Sequence, residues 1–162
     1  RGHFTRLFCI EEFKQMGFDQ SVVQINQTLT KLKGSVRGMH FQYPPNAETK
    51  IVTCFQGEIM DIVVDIRSNS PTFLQWYAQQ LSDKNQLSLY IPEGFAHGFQ
   101  TLRDDCQLIY MHSSPYVQIS EGGISVLDPK LEITWPLEIT EMSKRDQNHK
   151  RLDNNFRGIT LS

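Results

Sequence analysis

Lys50-Ile51-Val52-Thr53-Cys54-Phe55-Gln56-Gly57-Glu58-Ile59-Met60-Asp61-Ile62-Val63-Val64-Asp65-Ile66-Arg67 is the most strand-like stretch of the chain. Its β-branched and aromatic side chains favour extended backbone, and Gln56-Gly57 marks a turn or bulge that divides it in two. In the second half Met60, Ile62, Val64 and Ile66 share one face, while Asp61 and Asp65 lie on the other with Ile59 and Val63. Outward from this pair the same signals recur. Strands are predicted at residues 21–28, 35–42, 86–91, 97–102, 107–113 and 124–127. Helices are predicted only as short pieces, at 11–16 before Gly17 and at 143–150 with Ser143 as N-cap. Many short strands with Gly and Pro between them describe one all-β domain, as a sandwich, jelly roll or closed barrel.

The length of 162 residues suits one domain with a substantial core. Sixteen Lys and Arg against eighteen Asp and Glu leave a net charge of -2, which gives no reason to expect a nucleic acid or an anionic membrane as partner. No apolar run approaches the ~20 residues that span a bilayer. Cys9, Cys54 and Cys106 are odd in number and far apart. They form neither a disulfide framework nor a zinc motif, and they suit a reducing, cytoplasmic setting. The chain opens at Arg1 without a methionine, so a preceding natural segment is expected.

Two histidines stand in informative surroundings. Arg37-Gly38-Met39-His40-Phe41-Gln42 places His40 late in a predicted strand. Ideal alternation separates His40 from Arg37; either only His40 lines a cavity, or Gly38 permits a bulge that brings Arg37 round as well. A core histidine satisfied by hydrogen bonds is the plainer alternative. In Ile91-Pro92-Glu93-Gly94-Phe95-Ala96-His97-Gly98-Phe99, Pro92 can end one strand, Gly94 can turn at positive φ, and His97 can start the next.

This Pro-x-Gly-x-x-His run resembles the second signature of the cupin superfamily, whose jelly-roll barrels carry a site in their mouth. Gly34 and His40 resemble the first signature. Where a metal-binding member would show His-x-His, Gln42 stands instead and the later acid, Glu48, is shifted. His40, His97 and Glu48 fall short of a full ligand set, and no metal is expected. The resemblance then narrows. Arg1-Gly2-His3-Phe4, Val23-Gln24-Ile25-Asn26, the His40 and His97 segments and Ser143-Lys144-Arg145-Asp146 occur in one order. Together with Asp61 to Arg67 and Leu131-Glu132-Ile133-Thr134-Trp135-Pro136 they resemble the dTDP-4-dehydrorhamnose 3,5-epimerase family over nearly the whole chain. Family members carry about twenty further residues before the Arg-Gly motif.

The resemblance implies a role for each of several residues. His40 matches the base that removes a proton beside a ketone, and Asp146 the carboxylate paired with it. Tyr110 matches the acid on the far face, and Lys50 the cation beside the developing enolate oxygen. His97 and Asp61 match a second His-Asp pair lining the site. Gln24, Asn26, Arg37, Tyr116 and Arg145 match positions that hold the sugar or its diphosphate. Arg1 and Phe4 match residues that a homodimer partner's site receives. The implied activity is epimerisation at C3 and C5 of a nucleotide-activated 4-keto-6-deoxyhexose without a cofactor. A C3-only epimerase, a 3,4-ketoisomerase and a non-catalytic sugar-nucleotide-binding module are the alternatives. Each residue also has a plainer reading: Tyr110 as an internally satisfied barrel residue, Lys50 as a strand-edge charge, and Asp146 as part of an exposed charged helix face. Two departures stand out. Arg6 sits where some members carry Glu, in the segment expected near the nucleotide base, and Met111 follows Tyr110 where many members carry Lys.

Overall fold

The computed structural model describes residues 1–161. A short helix α1, Ile10–Gln15, precedes eight strands: β1 Gln24–Thr30, β2 Val36–Gln42, β3 Lys50–Gln56, β4 Glu58–Asp65, β5 Trp76–Ser82, β6 Ser88–Ile91, β7 Phe95–Thr101 and β8 Cys106–His112. A three-residue strand β9, Glu121–Gly123, and a one-turn helix α2, Lys144–Gln147, follow. Two antiparallel sheets result, ordered β1-β8-β3-β6 and β5-β4-β7-β2-β9. This is the expected cupin jelly roll with short flanking helices.

Alternation along β4 explains why it sits inside its sheet. Ile62, Val64 and Ile66 turn outward into a cluster with Leu131 and Ile159, so the C-terminal segments cover that face. Ile59 and Val63 turn inward against Phe99 of the neighbouring β7 and against Val52 and Leu108 of the facing sheet. Both faces of the strand are therefore buried, and Asp61 and Asp65 are buried among these apolar side chains. The outer face of the four-stranded sheet is covered differently. Phe18, with Phe8 and Phe13 packed beside it, closes over Ile51 and Met111.

Some boundaries differ from expectation. The first strand starts at Gln24 rather than at residue 21, because Val22 belongs to the aromatic cover beneath α1. The strand expected at 124–127 does not form: β9 ends at Gly123, and Ile124 and Val126 enter the core as irregular chain. Strand β5 was not anticipated. Trp76 and Tyr77 are exposed on it, so it lacks the inward-outward alternation of a half-buried strand. Ser143 does cap the last helix, its Oγ accepting from the Asp146 amide at 3.1 Å, but that helix ends after one turn.

One close approach between two glycines shapes the region between β2 and β7. A Cβ on Gly38 would stand 2.6 Å from the Gly98 Cα, so the strands approach more closely than side chains allow. Gly38 also has φ +128, and the register between the strands shifts between Arg37 and His40. The bulge read from Gly38 is therefore present, and it turns both Arg37 and His40 toward the same cavity.

Candidate active site

A cavity of about 390 Å³ opens between the two sheets. Strands β1, β3 and β8 supply Gln24, Asn26, Thr28, Lys50, Tyr110 and His112 from one wall. Strands β2, β7 and β9 supply Arg37, His40, Gln42, His97, Phe99 and Glu121 from the other. Glu48, Tyr116 and Arg145 complete it. Facing walls thus present a histidine and a tyrosine to one space.

His40 is held from behind. Its Nε2 lies 2.8 Å from Asp146 Oδ1, and the Gly38 amide donates to Asp146 Oδ2 at 3.2 Å. Asp146 is almost fully buried, because α2 begins directly under β2 and Ser143 caps it. Burial alone would raise the Asp146 pKa; the hydrogen bond and charge of His40, with the Gly38 amide and Arg145, outweigh it and hold the carboxyl at about 2. An ionised carboxylate only accepts, so His40 Nε2 carries the proton and Nδ1 keeps its lone pair. Arg145 Nη2 stands 3.2 Å from the same Nε2 but cannot donate to a nitrogen that is already protonated. Its guanidinium is anchored instead on Glu121 at 2.9 Å. Desolvation lowers the His40 pKa, aided by Arg145 and Lys50, and Asp146 offsets only part of this. At neutral pH His40 is therefore an uncharged imidazole able to accept a proton.

On the opposite wall Tyr110 packs edge-on to His97 and stacks on His112, with ring centroids 6.2 and 6.1 Å away. Burial pushes its phenol well above the usual tyrosine value. A phenol so held stays protonated and is available as a proton donor. Lys50 is mostly buried and pairs with Glu48 at 2.9 Å, while the other Glu48 oxygen takes His112 Nδ1 at 2.8 Å. Burial would raise the Glu48 carboxyl, but His112 and Lys50 together bring it below its ordinary value. His112 Nε2 is then free to accept from the Asn26 amide, 3.3 Å away.

Most residues singled out in the sequence meet here, and three do not. Asp61 was expected to line the site; it is fully buried behind His97 and bonded to the His97 Nε2 at 2.5 Å. Its face of β4 points into the interior, so it positions His97 and does not reach the cavity. Arg1 and Phe4 also lie outside the cavity of their own chain, on an extended segment where Phe4 is 93% exposed. Arg6 pairs with Glu12 at the surface. Met111 points away from the cavity into the cover around Phe18, because it follows Tyr110 on a strand. Gln24 instead serves the rim, its Oε1 accepting from the Tyr116 amide at 2.9 Å.

The sequence reading named Lys50, and Glu48 only as a shifted acid, but missed that His112 joins them in one Glu48–Lys50–His112 set, and it missed Glu121. The first was signalled by the i, i+2 spacing of Glu48 with Lys50 and of Tyr110 with His112, which puts each pair on one side of its segment. Glu121 lies in Glu121-Gly122-Gly123, which carries no strand signal.

Comparison with known proteins places the chain in a family. The family profile described as dTDP-4-dehydrorhamnose 3,5-epimerase matches residues 1–154. The dTDP-4-dehydrorhamnose 3,5-epimerase of Salmonella typhimurium is 41% identical over 155 residues, covering 91% of this chain and 84% of its own. The dTDP-4-dehydrorhamnose 3-epimerase of Streptomyces niveus is 36% identical over 149 residues, covering 91% and 72%. Among solved structures, the dTDP-6-deoxy-D-glucose-3,5-epimerase of Legionella pneumophila, in complex with dTDP-4-keto-L-rhamnose, superposes with a TM-score of 0.90. It is 35% identical, and the match covers 98% of this chain and 86% of that one. With its jelly roll, its paired histidine and aspartate and these matches, the chain belongs to the dTDP-4-dehydrorhamnose 3,5-epimerase family.

Proposed function

We propose that the cavity binds a dTDP-activated 4-keto-6-deoxyhexose and inverts C3 and C5, both of which flank the C4 ketone. His40 Nδ1 removes the α-proton, and Asp146 stabilises the imidazolium that forms. The electrons move onto the ketone oxygen, where the Lys50 ammonium favours the enolate. Tyr110 returns a proton from the opposite face and takes one back from solvent afterwards. The substrate's own ketone acidifies the hydrogens, so the chemistry calls for no cofactor. Arg37 and Arg145 at the rim suit the diphosphate, since a guanidinium grips two phosphate oxygens, and Gln24, Asn26 and Tyr116 suit the sugar. His97 shapes the wall, and Asp61 holds it. The single observation that carries this reading is that His40 and Tyr110 come from facing sheets onto one cavity, with Asp146 holding the nitrogen of His40 that does not face substrate.

The enzyme is further proposed to act as a cytoplasmic homodimer, where its three free cysteines stay reduced. Arg1 and Phe4 would then reach a second copy's cavity, which gives the exposed Phe4 ring a burial site. Incubation with a dTDP-4-keto-6-deoxyhexose in D₂O, read by NMR, tests the reaction. Deuterium at both C3 and C5 with inverted product supports it. Deuterium at C3 alone identifies the second reading, a C3-epimerase, which the Streptomyces niveus relative favours. No deuterium at either carbon overturns both.

A further inference from the structure

His149 takes no part in the chemistry above, yet it packs against the base. Its ring meets that of His40 edge to face, with centroids 5.3 Å apart. It occupies space that only a glycine leaves open: a Cβ on Gly123 would fall 2.4 Å from the His149 Nε2. Its Nδ1 is buried without a hydrogen-bond partner among the described residues. A ring nitrogen of His149, one of His40 and a carboxylate oxygen of Asp146 all lie within 4.8 Å of one another. Two imidazoles and one carboxylate converging in this way are the donor set of a three-residue zinc site.

We infer that His40, Asp146 and His149 form a divalent-metal site of zinc type that switches the base off when occupied. The ion would take His40 Nε2, the nitrogen now held by Asp146. The proton on that nitrogen moves to Nδ1, so the imidazole stays neutral and no proton is lost overall. Nδ1 is the position that accepts the α-proton in the proposed reaction, and a metal on Nε2 therefore leaves it already protonated. His149 supplies the third ligand, and its otherwise unpartnered nitrogen gains one. Arg145, whose side chain is 54% exposed, must swing off His40 to admit the ion. The inhibitory part of this inference rests on the proposed role of His40; the binding part does not.

The test is calorimetric titration of the full chain with zinc chloride, alongside deuterium wash-in with and without zinc. Wild-type protein is expected to bind one ion per chain and to lose wash-in, which a chelator restores. His149→Gln should weaken binding by about tenfold or more and keep wild-type wash-in in zinc-free buffer. Cobalt titration of the wild-type chain gives a second reading that needs no variant, as a visible absorption band of tetrahedral type. No binding by the wild-type chain, or equal affinity in His149→Gln, overturns the site. Binding that depends on His149 but leaves wash-in untouched overturns the switch alone. Absence of wash-in before any zinc is added identifies a failure of the proposed reaction and not of the metal site.

Discussion

Replacing Asp146 by Asn separates the charge of the dyad from its geometry. The Gly38 amide donates to Asp146 Oδ2, so an asparagine there must place its carbonyl oxygen at that position. Its NH₂ then faces His40 Nε2, the contact now 2.8 Å long, and can only donate. His40 must answer with a lone pair on Nε2 and carry its proton on Nδ1, the nitrogen that should receive the substrate's hydrogen. The expected loss in kcat is about 10³- to 10⁴-fold, as for a catalytic histidine in the wrong tautomer, or about 4–5.5 kcal/mol of transition-state stabilisation. Asp146→Ala imposes no tautomer and should lose less per folded molecule, although its fold is weaker. pH provides a second signature. His40 already titrates below 6.5, so activity falls as pH drops through that lowered value and the imidazole charges. Asp146 raises the His40 pKa, so its neutralisation moves the acid limb of residual activity further down. The assay is solvent deuterium uptake by the substrate across pH, with a thermal melt to confirm folding. Uptake within tenfold of wild type in folded Asp146→Asn would refute the tautomer argument.

Three further perturbations follow from the same geometry. Tyr110→Phe keeps the ring between His97 and His112 and removes only the proton: deuterium should still wash in on the His40 side, while inverted product falls by about 10²-fold or more; inversion at the wild-type rate would make Tyr110 structural. Met111→Lys buries an ammonium in the aromatic cover, not in the cavity. It should cost on the order of 2 kcal/mol or more and lower Tm by about 4–8 °C with KM unchanged; a changed KM without loss of stability would place residue 111 in the site. Light scattering of the chain should give a dimer at micromolar concentration, and a fully active monomer would remove Arg1 and Phe4 from the site.

The jelly roll was legible where residue chemistry and backbone agree. The break at Gln56-Gly57 and the two faces of β4 came directly from turn residues and period-2 alternation, and the structure uses both faces as read. Strand β5 escaped because exposed Trp76 and Tyr77 erase its alternation. Strand β9 escaped because Glu121-Gly122-Gly123 has no strand propensity of its own and is held by pairing with β2. At the site, Tyr110, Lys50 and Asp146 came only through the family resemblance, which also gave His40 its role, and the Gly38 bulge that admits Arg37 was one of two readings the segment left open. The resemblance also implied the pairing of Asp61 with His97, but not its depth: alternation assigns a face, and only the packing of the facing sheet decides whether that face meets a cavity or the core. His149 was invisible for a related reason. Its meaning comes from Gly123, a sequence-distant residue whose missing side chain makes room for the ring.

The most direct measurement is deuterium uptake by a dTDP-4-keto-6-deoxyhexose in D₂O with folded His40→Asn protein, followed by mass spectrometry beside the wild type. If His40 is the base on the wall opposite Tyr110, the wild-type chain labels the sugar and His40→Asn leaves it unlabelled, because a neutral amide cannot take the α-proton. Labelling by His40→Asn at the wild-type rate would contradict the assignment and move the base elsewhere in the cavity.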